Sequence, residues 1–406
     1  MRGMDVFFQE WADRRPGQRR DLARAAALMR ELGLAPGGGP PVLGVVGSKG
    51  KGTAATYASA CLAAAGLDTV TVTGPSLRSQ RERVRVNGAA IGADVLDRHA
   101  AEIATALRRL PPPGDGYLAP SGLFLVAGLL EARRRGAGAC VLEAGMGGRG
   151  DELRLARPRV VALASVFAEH IGKLGDTVEE IAEEKAAVAG PRTERFVSLP
   201  QRPEVAAVVA ATVRAATGGR VAPEPPPPGR PVPDPAPAGL SAASADLGCG
   251  AAQALLDLLG RPQGARTAEV LASVRLPGRL SAHTLGATEL IIDSAIDRTG
   301  VRAALEHARR RWPRVDRVLL CLPDHKDVAG AVAELDGVPV TAATLPDAHL
   351  RFARALPADW DRVRAEDLTP ADLSALGGRV LVLGTVYFTG RVLGLVDADT
   401  ERLFEV

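Results

Sequence analysis

Short, nearly continuous apolar runs alternate along this chain with stretches whose apolar positions recur every three to four residues. The runs Val42–Val46, Ala139–Glu143 and 160–165 fit parallel strands covered on both faces, because a strand with one wet face would alternate. Residues 68–73 read as a further strand. Helical spacing fills residues 20–32, 53–65, 123–135 and 178–189. A Gly/Pro-rich turn over residues 35–41 separates the first helix from the first strand. This βα alternation predicts a parallel sheet with helices on both sides. Nine of the fifteen residues 223–237 are proline, so that stretch is expected to be extended and exposed, neither helix nor central strand. Helical spacing resumes at 250–259 and 265–273. The alternation then restarts with strands at 289–293, Arg317–Cys321 and 379–383, and helices from Gly300 and Asp327.

Composition narrows the class. Of 406 residues, 46% are hydrophobic and 24% charged, as in ordinary globular proteins, and the length calls for two domains. A net charge of +3 and 3% aromatics give no footprint for nucleic acid. The first twenty residues are mostly polar, and no apolar run is long enough to span a bilayer, so a cytoplasmic protein without membrane attachment is expected. Cys61, Cys140, Cys249 and Cys321 are too widely spaced for a zinc pair or a disulfide framework, and read as small buried hydrophobes.

The chemistry concentrates at Gly47-Ser48-Lys49-Gly50-Lys51-Gly52-Thr53, between a predicted strand and a predicted helix. Glycines let backbone N–H groups approach phosphate oxygens, and the helix N-terminus favours negative charge. Lys51 can reach β- and γ-phosphates, and the Thr53 hydroxyl can bind Mg2+. The spacing departs from the standard phosphate loop, since Val45 stands six residues before Lys51 where glycine is usual. Glu143 closes a predicted strand, where ligands collect in doubly wound sheets. His170 follows another strand. Lys185 shares a helix face only with Ile181, Ala182, Val188 and Ala189, so no helical neighbour can pair with it. A lysine in an apolar stripe calls for a role. The fold class is therefore α/β: an N-terminal P-loop doubly wound domain, residues 1–275, and a smaller C-terminal Rossmann-like domain, residues 276–406.

Five motifs, in order, resemble those of the folylpolyglutamate synthases of the Mur ligase superfamily. Residues 45–53 resemble the family's loop, of the type GTNGKGS. Residues 81–88 (RERVRVNG) resemble RERI-x-ING, and residues 141–149 (VLEAGMGGR) resemble VLEVGLGGR. Residues 174–185 (LGDTVEEIAEEK) resemble LGDTLEEIAREK, and residues 384–387 (GTVY) resemble GS-x-Y. The resemblance implies an ATP-dependent ligase that joins a carboxylate to an amine through an acyl phosphate, releasing ADP and phosphate. It implies ATP on residues Gly47 to Thr53, and two Mg2+ ions held by Thr53, Glu143, His170 and a carbamylated Lys185. It makes Lys51, His170 and Lys185 the catalytic set. Pro277-Gly278-Arg279 resembles the family's PGR, which sends Arg279 to the phosphates; Asp293 resembles the aspartate of DGAHNP, which faces ribose. Asp324 and Lys326 fall where the family has ADKD. Partners are then small carboxylate and amine substrates, on a monomer or small homo-oligomer.

The departures are as informative. The family's TSPHL is Thr73-Gly74-Pro75-Ser76-Leu77, so a metal-binding serine has become Gly74. The family's Asp-His pair is Glu169-His170. DGAHNP reads Asp293-Ser294-Ala295-Ile296-Asp297-Arg298, and Ile296 cannot hydrogen-bond phosphate as histidine does, although Arg298 could supply a cation. The helix that resembles TYFE reads Pro120-Ser121-Gly122-Leu123-Phe124, without the glutamate. The adenine-side HQ-xx-NA has no counterpart near Asp246 to Ala254. Three readings stay open: a ligase for substrates other than standard folate, a nucleotide-binding pseudo-ligase serving as subunit or regulator, and a true folylpolyglutamate synthase.

Overall fold

A computed structural model describes residues 3–34, 38–346 and 350–406. Residues 35–37 of the Gly/Pro-rich turn and the first two residues lie outside the described residues. Two sheets organise the chain. The first has eight strands in the order Pro223–Glu224, Arg195–Ser198, Val160–Leu163, Val42–Val46, Ala139–Glu143, Thr69–Val72, Val84–Val86, Ala89–Ala90. Its first six strands pair in parallel, and the last two add antiparallel at one edge. Alternate residues along each central strand enter two separate cores. Val46, Cys140 and Leu142 pack with Leu28, Leu123 and Leu130; Leu43, Val45 and Val141 pack with Tyr57, Leu62 and Leu255. Burial on both faces is why these strands read as unbroken apolar runs.

The second sheet runs Ser281–Leu285, Thr288–Asp293, Arg379–Gly384, Arg317–Cys321, Val340–Thr344, Asp361–Arg364, parallel except for its first strand. It too has a core on each face, one built with Leu305 and Trp312, the other with Phe388 and Val392. The architecture is the α/β arrangement expected, with helices on both faces of two mostly parallel sheets. Strand order reverses around Val42–Val46, since the chain places Ala139–Glu143 on one side of it and Val160–Leu163 on the other. The loop after that strand therefore opens into a crevice at the carboxyl end of the sheet.

Several elements carry weak patterns. Strand Val340–Thr344 is built of small residues, and in helix Pro203–Ala216 alanines surround the buried Val205, Val209 and Val213. The proline stretch enters the sheet only at its edge, where Pro223–Glu224 pairs with Arg195–Ser198; an edge strand tolerates a residue without an N–H. From there it crosses the helix Ser241–Leu258, tied by Arg230 to both carboxylate oxygens of Asp246 at 2.6 and 2.9 Å. That helix lies close against Lys51–Ala64: a Cβ on Gly248 would come within 2.2 Å of the Ala54 carbonyl oxygen. The last residues return to the first sheet. Ala90 N–H donates to Glu401 O at 2.7 Å, Arg85 donates to the Glu401 and Thr400 carbonyls, and Phe404 is buried over Gly88. All four cysteines are buried and free. Among the described residues no helix is long and apolar enough to cross a membrane.

Candidate active site

The phosphate-type loop joins strand Val42–Val46 to helix Lys51–Ala64, as the motif requires. Glycine is needed at its last turn. Gly50 has φ +82°, and a Cβ there would meet Ser244 Oγ at 2.0 Å. Ser48 fixes the loop to the neighbouring strand end: its N–H donates to Ser165 O at 2.8 Å, and its hydroxyl exchanges hydrogen bonds with the Phe167 backbone.

Two ammonium groups converge on one atom of this loop. Lys51 Nζ and Lys185 Nζ each donate to the Gly47 carbonyl oxygen at 3.0 Å. Lys185 is 1% exposed, as a lysine in an apolar stripe must be. Its other partner is Glu169 Oε1 at 2.7 Å, supplied from a different loop and invisible to helical spacing. Burial pulls the Lys185 ammonium below its ordinary range; Glu169 opposes this and Lys51 adds to it. His170 stands beside the pair, Nε2 being 4.0 Å from Glu169 Oε2. Burial lowers its imidazolium pKa too, Glu169 opposes, and Lys326, Lys185 and Lys173 reinforce the fall. The net lowering favours the neutral imidazole at His170.

Thr53 and Glu143 line one cleft with Arg279 of the second domain. A Cβ on Gly52 would sit 3.6 Å from Glu143 Oε2, so this carboxylate faces the first turn of the helix. It accepts the Gly74 N–H at 3.0 Å. Burial raises the Glu143 carboxyl, and Lys51, the Gly74 N–H, Arg279 and Arg83 oppose the rise. Gly74 itself leaves room for Arg83, whose Nη1 is 3.1 Å from the point a Cβ would occupy. Of the four expected metal residues, Thr53 and Glu143 thus share one cleft, while His170 and Lys185 gather at Glu169. Among the described residues no set of three His, Cys, Asp or Glu side chains converges as a ready-made metal cage. Thr53 and Glu143 still fit a hard divalent ion, since an alcohol and a carboxylate oxygen on one cleft wall leave positions for phosphate and water. Lys185 does not fit as a ligand while it is an ammonium paired with Glu169.

The second domain brings Arg279, Asp293 and Asp297. Arg279 Nη1 donates to Gly278 O at 3.1 Å, and Asp293 Oδ2 accepts the Leu280 N–H at 2.8 Å. Burial raises the Asp293 carboxyl, with Arg279 and Lys49 among the groups opposing it. Ile296 packs against the second domain's core, and Arg298 lies 3.8 Å from Glu334 on the surface, so it does not take over the missing histidine's place. Lys326 stands near Glu169, Lys49 and Asp297, and burial lowers its pKa first. Asp324 accepts the backbone N–H groups of Ala353 and Arg354. Sequence reasoning missed the Lys185–Glu169 pair, the contact between Lys49 and Asp297, and Ser244 under Gly50. Each joins separate elements, with no local spacing to betray it.

No family model matches this chain. It is 35% identical over 178 residues to the probable bifunctional folylpolyglutamate synthase/dihydropteroate synthase of Halobacterium salinarum, which is 43% of this chain and 22% of that one. It is 33% identical over 177 residues to the folylpolyglutamate synthase of Lacticaseibacillus casei, 43% of this chain and 41% of the relative. The matched stretches thus span less than half of these curated relatives. Solved structures match almost end to end. The Mycobacterium tuberculosis folylpolyglutamate synthase complexed with ADP aligns over 98% of this chain and 99% of its own, with TM-score 0.78 and 21% identity. The apo form of the L. casei enzyme aligns over 97% and 99%, with TM-score 0.79 and 21% identity. The resemblance read from the motifs therefore holds at two levels: the chain has the folylpolyglutamate synthase fold over nearly its whole length, and related sequence over 43% of it.

Proposed function

We propose that this chain is an ATP-dependent carboxylate–amine ligase acting at the crevice between its two sheets. The observation that carries the reading is the convergence of Lys51 and Lys185 on the Gly47 carbonyl, with Glu143 one strand away and Arg279 reaching the same cleft from the second domain. Cations from two domains around a glycine loop suit a polyphosphate. Thr53 and Glu143 would hold Mg2+, which when bound neutralises phosphate charge.

In this reading Lys51 and Arg279 hold the phosphate chain in line with the acid substrate. A substrate carboxylate oxygen attacks the γ-phosphorus of ATP, the bond to the β–γ bridging oxygen breaks, and ADP leaves. An amine then attacks the carbonyl carbon of the acyl phosphate, loses a proton, and expels phosphate to leave an amide. The second domain excludes water that would hydrolyse the acyl phosphate. The lowered Lys185 pKa favours the neutral amine, the form that adds CO2, so a carbamate at Lys185 is compatible with its setting once the Glu169 pair opens. The carbamate, and a second Mg2+ on it with His170, belong to this proposal.

The acceptor is proposed to differ from standard folate. The helix that resembles TYFE lacks its glutamate, and a Cβ on Gly122 there would lie 2.2 Å from Glu152 Cδ, so Glu152 packs directly on that helix. The test is ADP and phosphate release from Mg–ATP against carboxylate and amine pairs, with a folate plus glutamate included, and mass analysis of products. Release that needs both partners and yields an amide establishes the ligase and names its substrates. Tight nucleotide binding without turnover on any pair favours the pseudo-ligase. Lys51→Ala should abolish turnover, and full activity in that variant sinks the assignment.

A further inference from the structure

Lys49 behaves unlike the other lysine of its loop. Lys51 turns back onto Gly47, whereas Lys49 Nζ leaves the loop and forms an ion pair with Asp297 Oδ2 in the second domain. Asp297 is itself fixed. It is the N-cap of the 14-residue helix Arg298–Arg311, its Oδ1 accepting the Gly300 N–H at 2.9 Å. Burial would raise the Asp297 carboxyl, yet the Lys49 hydrogen bond, the Gly300 N–H and the Lys49 charge outweigh it and hold the group below its ordinary value. Both partners are part-buried, with side chains 36% and 28% exposed, so solvent weakens the pair without abolishing it. In the family motifs these stretches resemble, GTNGKGS and DGAHNP, both positions carry asparagine. Here a cation and an anion stand in place of two neutral amides, and they meet.

We infer that Lys49 and Asp297 form a closure clasp, in which Asp297 is a positioning residue that orients the Lys49 ammonium and holds the second domain on the phosphate loop. An ammonium has three donors, so the one given to Asp297 leaves two for phosphate oxygens. The clasp thereby makes presentation of one phosphate-binding cation depend on domain closure, and Ile296, where the family has histidine, is offset by a cation from the loop itself. The consequence for turnover rests on the ligase reading above; the clasp itself does not.

The test uses the full chain as wild type, Asp297→Asn, Lys49→Asn and the double variant. Asparagine also caps helices, so Asp297→Asn should keep its fold and melting temperature. Closure is followed by fluorescence transfer between labels on the two domains, and nucleotide use by kcat and KM for ATP. Asp297→Asn should lower kcat roughly threefold to tenfold while KM for ATP stays level or falls, because an anion near the polyphosphate is gone. Lys49→Asn should raise KM and lower kcat. The double variant should lose no more kcat than the worse single variant, since one clasp cannot be lost twice. Raised salt should open the wild type and leave the double variant unmoved. Wild-type closure and kcat in Asp297→Asn, or additive losses in the double variant, would overturn the clasp. A wild type that binds no nucleotide would sink the ligase reading while the closure and salt data still decide the clasp.

Discussion

Glu152→Gln should change how stability depends on pH. Glu152 is buried with Asp151 around a single cation, Arg20, whose Nη1 lies 2.7 Å from Asp151 Oδ2 and 3.0 Å from Glu152 Oε2. Two ionised carboxylates and one guanidinium would carry a net negative charge in a site where Glu152 Oε1 and Arg20 Nε have no hydrogen-bond partner. Burial pushes the Glu152 carboxyl up to about 7, Arg20 opposing and Asp151 adding. The folded state therefore holds a proton that the unfolded chain has already released above its ordinary value of 4.5. This contribution to stability is complete below pH 4.5 and is lost as pH rises through about 7. At ~1.4 kcal/mol per pKa unit, the loss amounts to about 3 kcal/mol. Glutamine keeps an amide in the site and removes the titration. Urea unfolding of both proteins between pH 5 and 8.5 reads the difference directly. The wild type should fall relative to the variant as pH rises, and the variant should be the more stable at pH 8.5. Parallel curves would refute the buried-carboxyl argument. The result bears on the site, because Met146 N–H donates to Asp151 Oδ2 in the loop that follows Glu143.

Gly50→Ala should weaken ATP binding at least about tenfold by titration calorimetry, since it combines a left-handed backbone with a clash against Ser244 Oγ; wild-type affinity would show that the turn can be rebuilt. Lys185→Ala should lose turnover. Partial recovery with added short carboxylates would support the carbamate, and unchanged activity without any rescue would show that neither the carbamate nor the Glu169 pair is needed. Phe404→Ala should cost about 3–5 kcal/mol in urea unfolding, because the ring is 2% exposed and packs over Gly88; a loss under about 1 kcal/mol would mean the returning tail contributes little to the fold.

Strand positions were legible because burial on both faces writes itself as continuous apolar residues: Val42–Val46 and Ala139–Glu143 fall where the pattern puts them. The glycine loop was legible because its chemistry is local, a turn and a helix start within seven residues. Lys185 was legible as an anomaly, since helical geometry alone shows that its face is apolar. Its partner was not, because Glu169 reaches it from another loop. The helix Pro203–Ala216 has a helical signal as well, since Val205, Val208, Val209 and Val213 recur at helical spacing among alanines.

The sequence by itself determined much of the local frame: the central strands and the helices beside them, where backbone N–H groups can cradle an anion, and which lysines and acids stand at strand ends. Those follow from periods of two and 3.6 and from the φ freedom of glycine, which act within a few residues. Only the tertiary structure decided the pairings across the chain. It put Lys51 and Lys185 on one carbonyl, Glu143 and Arg279 on one cleft, Lys49 on Asp297, and the last residues back on the first sheet. A charge gains or loses partners through space, and the packing of helices on two twisted sheets sets distances that no spacing along the chain encodes.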